Sequence, residues 1–500
     1  MLIINIGETM KIDKKIDKVF EKIKNMNGNS PDITTRTINI GYKKIGYIYL
    51  ESVASDDKIS DFLVKSITRL KRTSFLDNFF TNLYQELKDN IANSKMKTID
   101  NYDDMFFYLS SGFTIVLVNG FNKAIALETR ETLDRGVTEP TTETSIRGPK
   151  DSLTENFNKN LGLIRKRIKD PNLWFKDFKV GRRTKTKVAV GFIKDIADKD
   201  KVDKVINKIK NIDIDGILDS GYIRDFLTND ERSSFPTVIS TERPDLVSSA
   251  LLEGKIVVIV ENTPFALIMP GVLANFIHAP EDNYQKAINV SLTRILRFIA
   301  MAITVMAPGL YIALTTFNQE IIPDTLLISL AIQRAGVPFP TSFAVIILMA
   351  TFEILRESDM RLPETMGTSI SIVGALVLGD AAVNAGIVSP IVVIVVAITS
   401  VTGLLFSDMD IVNAFRWWRF IFILFSTVMG AIGFIVALII FITKLSSIEV
   451  LDVPYLTPFS PLYTKSIKES IINLPRNKAK IRPLYLGSKN ITRVGDNNEN

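Results

Sequence analysis

Five hundred residues exceed one typical domain, and a composition of 46% hydrophobic and 23% charged residues hides a split along the chain. Residues 298–442 carry five of the sixty Lys and Arg (Arg334, Arg356, Arg361, Arg416 and Arg419), and a net charge of +6 is too small to mark a nucleic-acid partner. With no cysteine and only one histidine, His278, the chain excludes disulfides, thiolate or multi-histidine metal sites, and any Ser-His-Asp triad that does not use His278.

The first residues, MLIINIGETMKIDKK, lack the basic, apolar, small-residue order of a secretory signal, so the N-terminal half is expected on the cytoplasmic face. Within residues 1–30, Ile12, Ile16, Val19, Phe20 and Ile23 recur at spacings of three and four and predict one amphipathic helix. It packs on its own domain or lies on a membrane surface or partner. The stretch 27–31, NGNSP, breaks it and reads as a linker.

Two soluble α/β subdomains are expected next, over 31–144 and 145–285. GFTIVLVNGFNKAIAL (112–127) and GKIVVIVENTPFALIM (254–269) align without a gap at an offset of 142 residues, each reading as a β-hairpin. Strands TINI and GYIYL precede the first hairpin, and KVAVGFI and TVIS the second, as duplication of one helix–sheet module would give. Between them, Ser152 and Glu155 fit a capping box, opening a helix with Leu153, Phe157, Leu161, Ile164 and Ile168 on one face. Lys159, Arg165, Lys166 and Arg167 form the opposite face, either solvated or set against anionic lipid or an acidic partner. GRRTKTKV (181–188) reads as a charged entry into the following strand.

A helical transmembrane domain is expected over 286–445, followed by a polar tail over 446–500. Residues 298–317 and 420–443 are long enough for a bilayer core of ~30 Å, with Trp417, Trp418 and Arg419 anchoring the second at the interface. Residues 366–406 hold a single ionisable side chain, Asp380, and are expected to form two spans, 367–386 and 389–406, turning near Gly386 and Pro390. Residues 321–352, interrupted by Pro323, Arg334, Pro338 and Pro340, are expected to be re-entrant or interfacial. Four spans would return the tail, with nine basic and five acidic residues from Lys444 onward, to the cytoplasm. Glu353, Arg356, Glu357 and Arg361 fall on adjacent helical turns, as a polar helix end or as a paired network between helices or subunits.

No phosphate loop, HExxH, GxSxG, CxxC or dinucleotide fingerprint occurs, and nothing beside His278 makes a nucleophile–base pair, so neither an enzyme nor a cofactor is expected.

Ordered motifs complete the reading: PEDNY (280–284), RILR (294–297), PGLYIALTTFNQEIIPDTLL (308–327), GVPFP (336–340), EILRESDMRLP (353–363), VGALVLGDAAVNAGIVSP (373–390) and PYLTPFSP (454–461). With RGPKDSLTENFNKNLGLIRKRIKDPNLWF and VGRRTKTKVAV, they make residues 145–485 resemble the GerA-type A subunits of bacterial spore germinant receptors, including the related sporulation protein SpoVAF. The resemblance implies a receptor subunit in the inner spore membrane, working with a permease-like B subunit and a lipoprotein C subunit. It further implies a homo-oligomeric, nutrient-gated ion channel; a secondary transporter or a membrane scaffold are the alternatives.

On this reading Pro338, Pro340 and the 353–361 charges form a moving joint. Gly374, Gly379 and Gly386, with Ala381, Ala382 and Ala385, allow close helix approach. Asp380 is expected to face protein or water, in an intersubunit hydrogen bond involving Asn384 or lining a pore.

Overall fold

The computed structural model describes residues 10–40, 43–67, 83–91, 96–131, 140, 142–143, 147–228, 233–359 and 379–494. Unit 1 takes in Met1–Asn229, Val238–Pro270 and Ala479–Asn500; unit 2 takes in Asp230–Thr237 and Gly271–Lys478.

The first module of unit 1 runs α1 (Ile16–Met26), β1 (Ile33–Ile40), β2 (Lys43–Leu50), α2 (Leu83–Asn90), β3 (Met96–Ile99), α3 (Tyr102–Ser110), β4 (Phe113–Val118) and β5 (Ala124–Glu128). The second runs α4 (Phe157–Arg167), β6 (Leu173–Val180), β7 (Thr186–Ile193), α5 (Lys199–Lys210), α6 (Ser220–Leu227), β8 (Ile239–Thr241), α7 (Pro244–Glu253), β9 (Ile256–Val260) and β10 (Ala266–Met269). Their sheets are antiparallel with orders β1-β2-β4-β5-β3 and β6-β7-β9-β10-β8, one strand order used twice. Gly112 and Gly254, at the head of each hairpin, take φ of 85° and 98°, which lets the chain leave α3 and α7 and turn directly into a central strand.

Alternation along the strands assigns the two faces of the first sheet. Ile48 and Leu50 of β2 and Ile115 and Leu117 of β4 enter a core shared with α1, α3, α4 and the second sheet. Ile45 and Tyr47, with Val116 and Val118, face a second cluster with Ile59, Leu63 and Leu87.

In unit 1 the amphipathic N-terminal helix packs on its own domain, the first of its two expected placements: Ile16, Val19 and Ile23 are buried in the shared core. The 27–31 linker is not a spacer, because Asn27 and Ser30 are buried. The expected capping box is not used either. Asn156 caps α4 by accepting from Lys159 N, while Ser152 Oγ donates to the Glu242 carbonyl. On the supposed basic face Arg165 is 2% exposed and holds Asp32 of the first module. Of GRRTKTKV, residues 181–185 form the β6–β7 turn and 186–188 enter β7, as expected, while β6, with Lys176, Asp177 and Lys179, is an edge strand the hydrophobic pattern did not mark.

Unit 2 comprises α8 (Ala287–Ile312), continued by a π turn Ala313–Phe317, α9 (Asp324–Arg334), α10 (Thr341–Asp359), a short helix over 379–384, α11 (Pro390–Gly403), α12 (Met409–Ser447) and α13 (Thr464–Ile471). Two of these, Ala287–Phe317 and Met409–Ser447, pass the length and composition test for crossing a membrane.

The second is not straight. Gly430 has φ 59° and ψ −135°, outside any helix. The rings of Trp418 and Phe441 meet at 5.0 Å and those of Phe422 and Phe434 at 5.3 Å. In a continuous helix residues 418 and 441 would be about 35 Å apart. Residues 409–429 and 431–447 are therefore two antiparallel limbs, each about 25–30 Å long. The expected span 420–443 is replaced by this hairpin, since uniform hydrophobicity carries no mark of a reversal.

Residues 321–352 also differ from expectation. Pro338 and Pro340 stand before α10 rather than inside it, so α10 runs unbroken for 19 residues, about 28 Å. Val345 and Met349 pack with Val392 and Ile423, and Glu353 reaches Arg416 and Arg419, so α10 runs antiparallel to the first limb of α12. Of the expected span 367–386, residues 367–378 lie outside the described residues; Gly386 turns with φ 69° and Pro390 opens α11. Of the expected interfacial anchor, Trp418 and Arg419 are buried and only Trp417 is exposed. The polar tail divides. Leu273 N donates to the Tyr455 carbonyl within unit 2, while 479–494 rejoin unit 1, where Arg482 Nε donates to Leu252 O and Lys489 N to Ile196 O.

Candidate functional site

Among the described residues, buried ion pairs of unit 2 form two clusters. The first joins PEDNY to RILR. Pro280–Asn283 form a 3-10 turn that presents Asp282, and the three-residue spacing of Arg294 and Arg297 puts both on the same face of α8. Asp282 Oδ2 accepts from Arg294 Nε at 2.9 Å and from Arg297 Nη1 at 3.0 Å. Burial alone would raise the Asp282 pKa, but the two arginines hold it below the usual carboxylate range. Residues 469–476 cover the cluster: Arg294 Nη1 donates to Glu469 O at 2.7 Å and Arg476 Nη2 to Asn283 Oδ1 at 2.7 Å. Burial, reinforced by the Arg294 charge, pushes His278 down to about 3. Its neutral imidazole donates from Nε2 to the Ser470 carbonyl at 2.8 Å, a positioning contact and not an acid–base pair.

The second cluster contains part of the expected charge network. Glu353 Oε1 accepts from Arg419 Nη2, and Arg416 Nε lies 2.9 Å from Glu353 Oε2 with its N–H turned off the oxygen, an ion pair without a hydrogen bond. Arg356 lies beside Met409, its Nη2 3.8 Å from Sδ, and Glu357 is exposed one turn beyond Glu353. The arginine partners on α12 were not among the expected site residues; only the isolation of Arg416 and Arg419 in an apolar run could have flagged them.

The remaining candidates do not converge on this cluster. Pro338 and Pro340 are exposed in the turn before α10, so the proposed joint and the 353–357 charges sit at opposite ends of one helix, about 18 Å apart. Gly386 approaches that turn instead: a Cβ on it would lie 3.4 Å from Gly336 O. A Cβ on Gly379 would touch Val393 at 3.6 Å, and Ala382 and Val383 pack against the α8–α10–α11 core. Arg361 and Gly374 lie outside the described residues. Asp380 and Asn384 are exposed, with no hydrogen bond between them among the described residues. A close approach missed from sequence is Gly309, where a Cβ would stand 3.0 Å from the backbone of Phe422.

Comparison with known proteins places these elements in context. A family model described as Bacillus/Clostridium GerA spore germination protein matches residues 21–485. Spore germination protein KA of Bacillus subtilis (strain 168) is 35% identical over 490 residues, covering 97% of this chain and 89% of the relative. Spore germination protein GerLA of Bacillus cereus is 32% identical over 496 residues, covering 97% and 99%. Among solved structures, the N-terminal domain of the A subunit of the Bacillus megaterium spore germinant receptor GerK3 is 31% identical, covering 52% of this chain and 96% of that one, with a TM-score of 0.42.

Proposed function

Because this chain belongs to the Bacillus/Clostridium GerA spore germination family, we propose that it is the non-enzymatic A subunit of a nutrient-sensing germinant receptor. In this reading unit 2 sits in the inner spore membrane and conducts ions when nutrient binds the receptor, while unit 1 stays on the cytoplasmic face. A permease-like B subunit, a lipoprotein C subunit and further copies of this chain complete the assembly.

The observation that carries the membrane reading is the outer surface of unit 2. Leu292, Ile295, Ile299, Leu424, Val428, Ile432, Ile435 and Ile439 are all exposed on α8 and α12, while the charges of Glu353 and Arg419 are turned inward. Residues 238–270 and those from Ala479 onward belong to one unit, and an even number of crossings would keep both on one side of the bilayer.

Asp380 supports the oligomer. It is exposed on a single chain, and a charge facing lipid is unfavourable, by about 2.5–3.5 kcal/mol where it reaches the bilayer centre. In this reading it faces a second copy or pore water. Asp380→Asn should leave germination near normal, whereas Asp380→Leu should impair assembly or gating. Wild-type germination by the Leu variant removes Asp380 from the argument.

Purified receptor in liposomes tests the activity. Nutrient-dependent conductance without a coupling gradient supports the channel. Saturable coupled flux replaces it with a secondary transporter, and no flux with a scaffold.

A further inference from the structure

Between α8, α10, α11 and α12, unit 2 holds a partly open cavity of about 20 Å³ lined in part by Thr304, Glu353, Arg356, Ser400, Gly403 and Arg419. That is room for one body the size of a water molecule. Two lining side chains are more than nine-tenths buried, Ser400 at 6% and Arg419 at 4% exposed. Ser400 Oγ and Arg419 Nε each lack a hydrogen-bond partner among the described residues. Buried polar atoms left this way are costly, so their convergence on one void calls for an occupant.

Charge selects the kind of occupant. Glu353 is the carboxylate engaged by Arg416 and Arg419, and Arg356 lines the same cavity with only the Met409 sulfur as a hydrogen-bond acceptor among the described residues. Even with Glu357 counted on the outer side of α10, three guanidinium groups exceed two carboxylates among the described side chains that line the cavity or pair with Glu353. A water would satisfy the two orphan atoms and leave this surplus standing in a poorly solvated interior. A halide exceeds a water only slightly, whereas a sulfate, phosphate or carboxylate is several atoms larger than the space.

We infer that the cavity is a binding site for one small monovalent anion of halide size, held by the Arg419 Nε–H, the Ser400 hydroxyl and the Arg356 guanidinium. The anion ties α10, α11 and α12 together at one point, because its three donors come one from each helix. The site is independent of whether the chain conducts ions, and of which ion would pass.

The test is thermal unfolding of the full-length protein in detergent, in sodium chloride, bromide, gluconate or sulfate at matched ionic strength. Chloride and bromide should raise Tm saturably, and gluconate and sulfate should not. Ser400→Ala and Arg356→Gln should each raise the half-saturating chloride concentration by about tenfold, as expected for losing one donor to an anion. Their Tm in gluconate gives the fold baseline, so a folding defect is read separately from lost binding. Equal Tm in all four salts overturns the proposal in favour of a water. A chloride response unchanged in both variants also overturns it, since the ion then binds elsewhere.

Discussion

Asp32→Asn should destabilise unit 1 by about 3–5 kcal/mol, the effect of removing one partner from a buried ion pair. Asp32 Oδ2 accepts from Arg165 Nε at 2.5 Å and Oδ1 from Nη2 at 2.9 Å, while Ser30 and Ser52 donate to the same carboxylate at 2.7 and 2.9 Å. Among the described residues Asp32 is the one carboxylate hydrogen-bonded to Arg165, whose other contacts are Ser30 Oγ, the Leu173 carbonyl and the Phe175 ring. Replacing both partners by apolar residues, Asp32→Leu with Arg165→Met, should cost less than Asp32→Asn alone, because no charge is stranded. Hydrogen exchange in the 26–32 and 165–175 backbone reads the effect in the full-length protein. Protection unchanged in Asp32→Asn would mean the pair does not join the modules.

The same pair fixes a pH dependence. Burial pushes the Asp32 carboxyl up, but the Arg165 charge and the hydrogen bonds from Arg165, Ser30 and Ser52 outweigh it and hold the folded value below the ordinary 3.8. A depressed folded pKa contributes stability that is complete above the unfolded value and is lost as pH falls through the folded one. The gap between wild type and Asp32→Asn should therefore be constant at neutral pH and shrink only below about pH 4.

Gly430→Ala should be strongly damaging to unit 2. Its φ of 59° with ψ of −135° is a region open essentially to glycine, and a Cβ there would stand 2.5 Å from Phe317 Cβ. Backbone strain and the clash each cost about 1–3 kcal/mol. Adding Phe317→Ala removes the contacts to Phe317 Cγ and Cδ2 but keeps the Cβ contact and the strain, so the double variant should recover only a small part of the loss in Tm and membrane-inserted yield. The absence of native cysteine allows single-cysteine labelling to place residues on either side of the turn without background. A Gly430→Ala protein with parental Tm would sink the hairpin and restore a straight helix.

The repeat was legible because β-hairpins are local: five β-prone residues, a polar turn and a second apolar run lie within sixteen residues, twice. The strand order then follows from the same module being used again. What joins the modules was not legible. Arg165 stands in RKRIK, a run whose composition reads as solvated, and its partner is 133 residues away. Edge strand β6 was missed because Lys176, Asp177 and Lys179 break its hydrophobic alternation. In unit 2 the motifs PEDNY and RILR stood out singly, while the fact that Asp282 and the two arginines are one cluster needed coordinates. Gly430 lies in FSTVMGAIGFIV, where every residue suits a continuous apolar helix and only backbone angles show the reversal. Asp380 was conspicuous as a lone charge, yet its exposure on the single chain moves the question from this fold to what stands beside it.

The return of residues 479–494 to unit 1 has a consequence for how the protein is made. Ser488 Oγ donates to the Glu253 carbonyl, Arg482 Nε to that of Leu252 and Lys489 N to that of Ile196. A ribosome delivers these donors only after every helix of unit 2 has been synthesised. Both sheets can form while translation continues, but those carbonyls remain solvent-bonded until residues 482–489 have emerged. A chain stalled or cleaved within unit 2 thus leaves the first-made unit unfinished, a difference that proteolysis of nascent and completed chains would register.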